Sequence, residues 1–397
     1  MKEHVRLSSE SSRQTTVLEK ILIVLVGIAA TMGEHMNVYF SMASRMYVFI
    51  SVALMVVLTY KVIIKKRNIR GVQIYFPLSF WVALVVIFLI TLNRLSNIDS
   101  LDFGRMIEEF KPVLFMFFSV SLSSCFVNDR KLVDLFLWSY LLAFVIMIPF
   151  GRTGDYITAY RFCGTYANPN TYALDCIFAI FASLYLFRES KLKIIKWSLL
   201  AVCIITLLRT GSRGAMLSVI LGLIIIFLFT KSAWNKLMFV LVGIVGAISI
   251  LLFSFEDVNG IFVRLFESSY SENVRLEIWM EYLKNIPRFM WFGLEQEALS
   301  DIHHFTPHNA YLGVWVSYGI FAFIPYMCLW AKLLLKSFKV GERDGADYGV
   351  CVLSALIFSY TMSGMTMENV GCRMTWIVIA VVIANVFTLL KKSYVRL

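Results

Sequence analysis

Charged residues are scarce in this sequence. Only 16% of the 397 residues are Asp, Glu, Lys or Arg, whereas 59% are hydrophobic and the mean hydropathy is +0.74. A soluble protein of this length has too little interior to bury so much apolar surface. The composition therefore excludes a soluble globular protein and predicts one that uses the lipid bilayer as its solvent.

Several kinds of motif are also missing. The seven cysteines are scattered without a CxxC pair or metal-type spacing, which predicts small core residues. No Walker loop, nucleotide motif or nucleophile elbow occurs, so we expect no cofactor and no ATP-driven chemistry. Without repeats, low-complexity tracts or a soluble domain, residues 1–397 are predicted to form a single polytopic membrane domain.

What the sequence does contain is a series of long apolar segments. Most of them reach or approach the ~17 residues that a membrane helix needs. They predict an all-α integral membrane protein with about 12 transmembrane helices, at roughly 18–33, 46–64, 74–92, 112–127, 132–150, 171–187, 194–208, 215–230, 236–253, 309–331, 347–363 and 374–390.

The basic residues predict the orientation of these helices. With the N-terminus inside, 24 of the 37 Lys and Arg residues fall in cytoplasmic segments, and only Lys111 and Lys284 among the lysines fall outside. This positive-inside distribution predicts that the N- and C-termini are cytoplasmic. The net charge of +11 then reflects topology, and no nucleic-acid partner is expected. The one long loop, 254–308 between helices nine and ten, is extracytoplasmic, which favours chemistry on that side.

The stretch RTGSRGAM places Arg209 and Arg213 on a short outer hairpin, where basic residues are normally scarce. Either arginine could simply reach lipid phosphates. However, Gly211 and Gly214 allow a tight turn with N–H groups aimed at an anion, and a helix begins after Gly214 with its positive dipole end. Because guanidinium groups grip phosphate oxygens in pairs, the stretch predicts half of a phosphate site.

The long outer loop contains an amphipathic segment, residues 274–286. At ~100° per residue its charged side chains share one face, and Arg275 falls in the middle of the opposite side. A cation there needs an anionic partner, either a substrate or a carboxylate such as Glu256 or Asp257. The predicted charged face comprises Glu277, Glu281, Lys284 and Arg288, and the apolar side Leu276, Trp279, Tyr282, Leu283 and Ile286.

Two further outer segments carry candidate polar residues. In HHFTPHNAYL, His308 and Asn309 stand at the mouth of helix ten, where an imidazole suits a proton acceptor or a hydrogen-bond donor to phosphate. Pro307 breaks the local helix and no metal-ligand register follows, so no metal is predicted.

The second segment, RFCGTYANPN, enters helix six. Asn168 and Asn170 flank a proline as a helix-start signal, and they are also candidate substrate contacts. Arg161 is predicted either to join the site or to anchor the loop.

Together, Arg213, Arg275 and His308 suit a lipid-linked diphosphate whose head faces outward. The arginines would stabilise the diphosphate as it leaves, when its charge grows. The histidine would deprotonate an incoming sugar hydroxyl.

These motifs resemble the O-antigen ligase and O-antigen polymerase superfamily. The resemblance rests on the order of GTYANPN, TGSRGA, the Arg275-x3-Trp279 element, and PHNAYL followed by Gly319. It covers about residues 160–330, including the loop 254–308, and implies a multi-pass enzyme of the bacterial cytoplasmic (inner) membrane with its site facing the periplasm. By this resemblance, Arg213 and Arg275 match the diphosphate-binding arginines and His308 matches the catalytic histidine.

The resemblance also implies partners. The donor is an oligosaccharide linked to undecaprenyl diphosphate, the acceptor is a glycan or lipid A–core, and neither a nucleotide sugar nor an essential metal is needed. Membrane lipids, a chain-length regulator and a flippase are further implied partners. Arg161, Arg209 and Asn309 are expected to contact the substrate.

Alternatives remain within and outside this family. PHNAYL is more similar to polymerases, although no outer arginine has a glycine eleven positions later, as an RX10G pattern requires. We expect a polymerase, with a ligase as the alternative. A flippase would need charges deep in its helices, such as Asp175, and a carboxylate-dependent glycosyltransferase would use Glu34, Asp99 or Asp102. Residues before 150 show no motif.

Overall fold

The computed structural model describes residues 17–39, 76–96, 103–129, 131–156, 159–187, 193–230, 269–295, 298–299, 301–303, 306–341, 348–367 and 371–387, with isolated positions between 46 and 57. The predicted span 236–253 and most of 46–64 lie outside these residues. So do Asp99, Asp102, Glu256 and Asp257.

Helices dominate the described residues. The first seven are α1 (Val17–Ala29), α2 (Leu78–Leu95), α3 (Phe103–Asn128), α4 (Lys131–Met147), α5 (Pro169–Leu186), α6 (Lys193–Thr210) and α7 (Arg213–Phe229). They are followed by α8 (Ser269–Lys284), α9 (Ile286–Phe289), α10 (Ala310–Gly341), α11 (Tyr348–Ser363) and α12 (Arg373–Val382). The predicted spans in this part of the chain coincide with α1–α7 and α10–α12.

Several of these helices have the length and composition of membrane spans. Among the described residues, four segments are long and apolar enough to cross a bilayer: Leu78–Leu95, Arg105–Val127, Lys131–Phe150 and Ala310–Val340. Three shorter apolar helices cover Arg213–Phe229, Tyr348–Ser363 and Arg373–Asn385. The architecture is that of an α-helical membrane protein, and the count of twelve spans and their orientation stay predictions.

The segment between α4 and α5 contains a two-stranded antiparallel sheet instead of the predicted loop. Strand β1 (Arg152–Tyr156) pairs with β2 (Ala159–Gly164), and Gly154 lies opposite Arg161. Tyr and Phe side chains favour this extended backbone, but strands of five and six residues are too short to show a clear alternation in the sequence. The expectation of an all-α chain is therefore wrong at this hairpin.

Helix α7 packs closely against α11 through small residues. A Cβ added at Gly222 would stand 2.1 Å from Oγ of Ser359, and that hydroxyl donates to the carbonyl of Ser218 over 2.8 Å. Small residues are the usual means by which membrane helices approach, because lipid provides no hydrophobic force between them. This contact brings the start of α7 to the turn that follows α11.

Helix α10 begins where the sequence predicts but is broken at Gly319. The backbone there has φ 69° and ψ −178°, so Ala310–Tyr318 and the part after Gly319 are two helical pieces. The segment 290–294 of the same chain explains the break. Leu294 donates its N–H to the carbonyl of Val316 over 2.8 Å, and Ile320 donates its N–H to the carbonyl of Met290 over 2.8 Å. The predicted end at residue 331 is wrong, since α10 continues to Gly341.

A small second core lies beside the main one. The main core runs through α1–α7 and α10–α12, whereas the small core is centred on Ile278, Tyr282, Phe289, Leu299 and Val316. Helix α8 starts at Ser269, five residues before the predicted start, and its buried side carries Ile278 and Tyr282. Leu276 and Leu283 are exposed, so the predicted apolar side is wrong at those two positions.

All seven cysteines are free thiols. Five are buried and Cys372 is partly buried, as small core residues should be. Cys328 is exposed, so the prediction is wrong for that residue.

Candidate active site

Several chain segments meet at one end of the helix bundle, which we call the site end. Gly33 donates its N–H to Oγ1 of Thr165 over 3.1 Å, and His35 donates to the Thr165 carbonyl over 2.9 Å. Ala310 donates its N–H to the carbonyl of Gly364 over 2.7 Å. The site end comprises residues 30–38, 161–170, 209–214, 306–310 and 364–367, and the sequence predicts all of them in outer loops or at the outer ends of spans.

Arg161 holds a junction within the site end. Its buried guanidinium donates from Nε to the carbonyl of Thr210 over 2.7 Å and from Nη2 to Oδ1 of Asn170 over 2.8 Å. Asn168 caps α5 by accepting from the Asn170 N–H over 2.8 Å, with Pro169 as first helical residue. These side chains anchor the loop between the hairpin, α5 and α6. Their expected contact with substrate stays a prediction.

The two arginines of RTGSRGAM take different positions. Arg209 is exposed and stacks over the ring of Phe162, with 4.5 Å between its Cζ and the ring centroid. Gly211 has φ +58° and turns the chain, so that Arg213 becomes the first residue of α7 and is half-buried. A Cβ at Gly214 would stand 2.3 Å from Oγ1 of Thr366. Arg213 therefore lies beside the turn 364–366, which we call the site turn.

Helix α8 holds Arg275 near residues 306–310, which we call the histidine segment because they include His308. Arg275 lies half-buried on the same side of α8 as Ile278 and Tyr282, the residues that fill the small core. One turn later, Trp279 donates its indole N–H to the carbonyl of Pro307 over 2.6 Å. Because side chains four residues apart lie on one helix face, this bond brings the face with Arg275 towards the residue before His308.

His308 has an unusual backbone. Its φ is +48°, and it is the one non-glycine residue with positive φ in the part of the chain that the structure describes. Such a conformation costs on the order of 1–3 kcal/mol and is concentrated at functional sites. Asn309 holds the position from the other side: its Oδ1 accepts the N–H groups of Tyr311 and Leu312, each over 3.0 Å. This is the N-cap of α10.

The site turn joins the three parts of the candidate site. Asn309 donates from Nδ2 to the carbonyl of Met365 over 3.3 Å, next to Thr366, which lies against Gly214. The segment of His308 thus contacts the site turn on one side and Trp279 on the other. This arrangement brings the backbone segments of Arg213, Arg275 and His308 together from three separate parts of the chain.

Such a set of side chains can do definite chemistry. Guanidinium groups can hold two phosphate oxygens each, and an imidazole can accept a proton from a hydroxyl. Among the described residues, no group of three His, Cys, Asp or Glu side chains is arranged to hold a metal ion.

Arg94 and Glu109 were not among the residues predicted for the site. Arg94 ends α2, is buried, and lies 3.3 Å from the Glu109 carboxylate of α3. It also donates to the carbonyls of Leu294, over 2.9 Å, and Ser317. Helix α3 begins at Phe103, nine residues before the predicted span 112–127. Half of the predicted outer loop 93–111 is therefore helical. The one available signal was an arginine at the predicted outer end of an apolar helix.

Arg373 is a second arginine that the sequence analysis missed. It donates to the carbonyl of Met32 over 2.6 Å and to the hydroxyl of Tyr166, which in turn donates to Oδ2 of Asp175 over 2.9 Å. Burial raises the pKa of the Tyr166 phenol well above its usual value, and the Arg373 charge acts in the opposite direction. Asp175 therefore belongs to a hydrogen-bonded chain at the site end and has structural partners there.

A cavity of about 210 Å³ lies next to the histidine segment. Pro307 and Ala310 form one wall, and Glu108, Glu109 and Arg94 contribute charged groups. The cavity thus connects the part of the chain before residue 150 with the candidate site.

The fold and this arrangement define a multi-pass α-helical membrane protein with a polar site at one end of its bundle. The family model described as O-antigen ligase matches residues 198–327, a segment that includes Arg213, Arg275 and His308. This match confirms that the segment resembles the O-antigen ligase and polymerase superfamily, as its motifs predict. No curated protein matches the chain.

Proposed function

We propose that the protein transfers a glycan from undecaprenyl diphosphate to a sugar hydroxyl on the extracytoplasmic face of the bacterial cytoplasmic membrane, and that it polymerises the repeat units of a surface polysaccharide. The observation that carries the proposal is that the segment of His308 contacts the site turn beside Arg213 on one side and the helix of Arg275 on the other. The family match supports it.

The two arginines bind the diphosphate of the donor. Arg213 starts α7, whose N-terminus adds a partial positive charge, and Arg275 approaches from α8. As the bond between the anomeric carbon and the diphosphate breaks, negative charge grows on the leaving oxygen. Fixed cations stabilise this charge more in the transition state than in the ground state.

His308 acts on the acceptor. Its imidazole takes the proton of a sugar hydroxyl while that oxygen attacks the anomeric carbon of the donor. One C–O bond forms and one breaks, and undecaprenyl diphosphate leaves. The strained backbone of His308, fixed by the Asn309 cap and the Trp279 bond to Pro307, supports a role in which side-chain direction is critical.

The alternative is a ligase that transfers finished chains to lipid A–core, and the match to a family described as O-antigen ligase favours it. The two activities leave different products in cells. A strain without a polymerase carries surface glycan capped at a single repeat unit. A strain without a ligase carries bare acceptor, and full-length chains accumulate on undecaprenyl diphosphate.

The test is a surface-glycan gel of the deletion strain, complemented with wild type or with Arg213→Ala, Arg275→Ala or His308→Ala. We expect single-repeat glycan in the deletion strain and in all three variants. Arg288→Ala is the matched control, since Arg288 is exposed on α9. If the three variants restore wild-type glycan at normal protein levels, the site is wrong, and if the deletion changes no glycan, the function is wrong.

A further inference from the structure

Two glycines in the lining of the cavity beside Pro307 have open space where a side chain would begin. Among the residues that the structure describes, no heavy atom lies within 4 Å of a Cβ added at Gly313 or at Gly371, and both glycines line this cavity. At eight other described glycines, an added Cβ would stand 2.5 Å or less from another atom. Elsewhere, then, glycine serves close packing, whereas here it keeps a space open for a ligand that approaches the backbone.

The charges of the cavity differ from those around the site turn. Among the described lining residues, the charged groups are one arginine and two glutamates, and the arginine is already paired with Glu109 over 3.3 Å. Glu108 contacts the Lys111 ammonium but its side chain is 64% exposed. Because Arg94 and Lys111 already pair with these carboxylates, the described lining has no excess positive charge to attract a diphosphate. A neutral molecule with hydroxyl groups can donate to the carboxylates.

The rest of the lining suits one face of a sugar ring. Pro112, Leu294 and Tyr318 supply apolar surface, and Thr306 and Ser317 supply hydroxyl groups. A few polar groups on a mainly apolar wall are typical of small-molecule sites. The volume of about 210 Å³ lies below the roughly 300–1,000 Å³ of pockets for drug-sized ligands, so it suits a group as small as a sugar residue.

We propose that this cavity binds the sugar residue of the acceptor that carries the attacking hydroxyl. The inference rests on the proposed function and adds the place of the second substrate. The segment 307–310 separates the two substrates: Pro307 and Ala310 line the cavity, whereas Asn309 reaches the site turn beside Arg213. The backbone of His308 lies between a donor side with arginines and an acceptor side whose carboxylates are paired.

The experiment fills the cavity without disturbing the fold. Gly313→Leu adds a side chain where space is open, within helix α10, and leucine favours helix. Ile324→Leu is the matched control because it places the same residue at an exposed position of the same helix, outside the cavity lining. Glu108→Gln removes a carboxylate from the cavity, and Glu277→Gln is its control on the exposed side of α8.

The full chain is assayed in phospholipid nanodiscs. The donor is the labelled lipid-linked glycan extracted from the deletion strain, and the acceptor is the deacylated surface oligosaccharide of the same strain, which ends in the acceptor sugar for either a polymerase or a ligase. We expect Gly313→Leu to raise the KM for the oligosaccharide about tenfold or more. The KM for the donor should change less than about twofold, as should both constants in Ile324→Leu.

A second measurement separates this inference from the proposed function. Binding of the oligosaccharide alone is followed by saturation-transfer NMR, which needs no transfer reaction. If wild type shows no transfer, the proposed function is overturned. If the oligosaccharide nevertheless binds to wild type and not to Gly313→Leu, the cavity remains a sugar site. A rise in donor KM alone would assign the cavity to the donor sugar and overturn the inference. Unchanged binding and unchanged KM in both Gly313→Leu and Glu108→Gln would overturn it as well.

Discussion

Trp279 donates its indole N–H to the carbonyl oxygen of Pro307 over 2.6 Å, and so fixes α8 to the residue that precedes His308. Trp279→Phe keeps a ring of similar character but removes the donor. A buried hydrogen bond contributes about 0.5–1.5 kcal/mol, so we expect transfer to fall by up to about tenfold with little loss of thermal stability. Trp291→Phe, at an exposed position, is the control and should leave the rate unchanged. An unaltered rate in Trp279→Phe would contradict the positioning role.

The backbone of His308 allows its chemistry to be separated from its conformation. Asparagine tolerates positive φ better than alanine, so His308→Asn should keep wild-type stability, whereas His308→Ala should lose about 1 kcal/mol. Both variants lack the imidazole, and both should lose transfer by about 100-fold or more. Thermal unfolding and transfer rate are measured on the same preparations. Activity retained in His308→Asn would exclude the histidine as the base.

The two proposed diphosphate ligands should not accept lysine. Arg213→Lys and Arg275→Lys keep the charge but lose the planar fork that binds two oxygens at once. We expect each to reduce transfer about 10- to 100-fold. Arg288→Lys, on the exposed side of α9, provides the control and should behave as wild type. Equal rates in all three lysine variants would indicate that no bidentate contact exists.

Gly319 and Gly313 lie in the same helix but should respond oppositely to alanine. At Gly319, with φ +69°, the new Cβ would stand 2.0 Å from the carbonyl oxygen of Trp291. We expect Gly319→Ala to destabilise the protein by about 1–3 kcal/mol or more. Gly313→Ala should be neutral or slightly stabilising, since its space is open. Thermal unfolding of the detergent-solubilised protein measures the stability change of each variant. Similar unfolding temperatures for the two variants would contradict the kink at Gly319.

Arg161 should act through stability. Its buried guanidinium makes two hydrogen bonds that a lysine ammonium cannot make together, to Thr210 and to Asn170. Since bonds to charged groups contribute about 1.5–3 kcal/mol, Arg161→Lys should lower the free energy of unfolding by a similar amount. The control is Arg152→Lys, at an exposed position with one bond of 3.2 Å to Ala167. If Arg161→Lys keeps full stability but loses transfer, Arg161 acts in substrate binding instead.

Local signals predicted the helix starts well. Asn168 and Pro169 mark the start of α5 because a cap and a fixed φ act within three residues. The glycines around Ser212 predicted the turn before α7 for the same reason, and Gly211 does have positive φ. The position of Arg275 on the inner side of α8 followed from helical periodicity alone.

Long-range contacts were not predictable from the sequence. The Arg94 guanidinium binds carbonyls 200 and 223 positions away, and no local pattern marks either partner. The exposure of Leu276 and Leu283 was not predictable for the same reason. Which half of the apolar face of α8 is buried depends on the position of Val316, which is distant in sequence. The break at Gly319 likewise depends on a neighbouring segment.

The site turn has a consequence for synthesis of the chain. A ribosome makes Arg213, Arg275 and His308 long before it reaches Gly364, Met365 and Thr366. Until then the proposed catalytic side chains are present, but the turn that joins their segments does not exist. A nascent or prematurely stopped chain therefore contains every proposed reactive group but not the complete site, so the proposed transfer requires a nearly complete bundle.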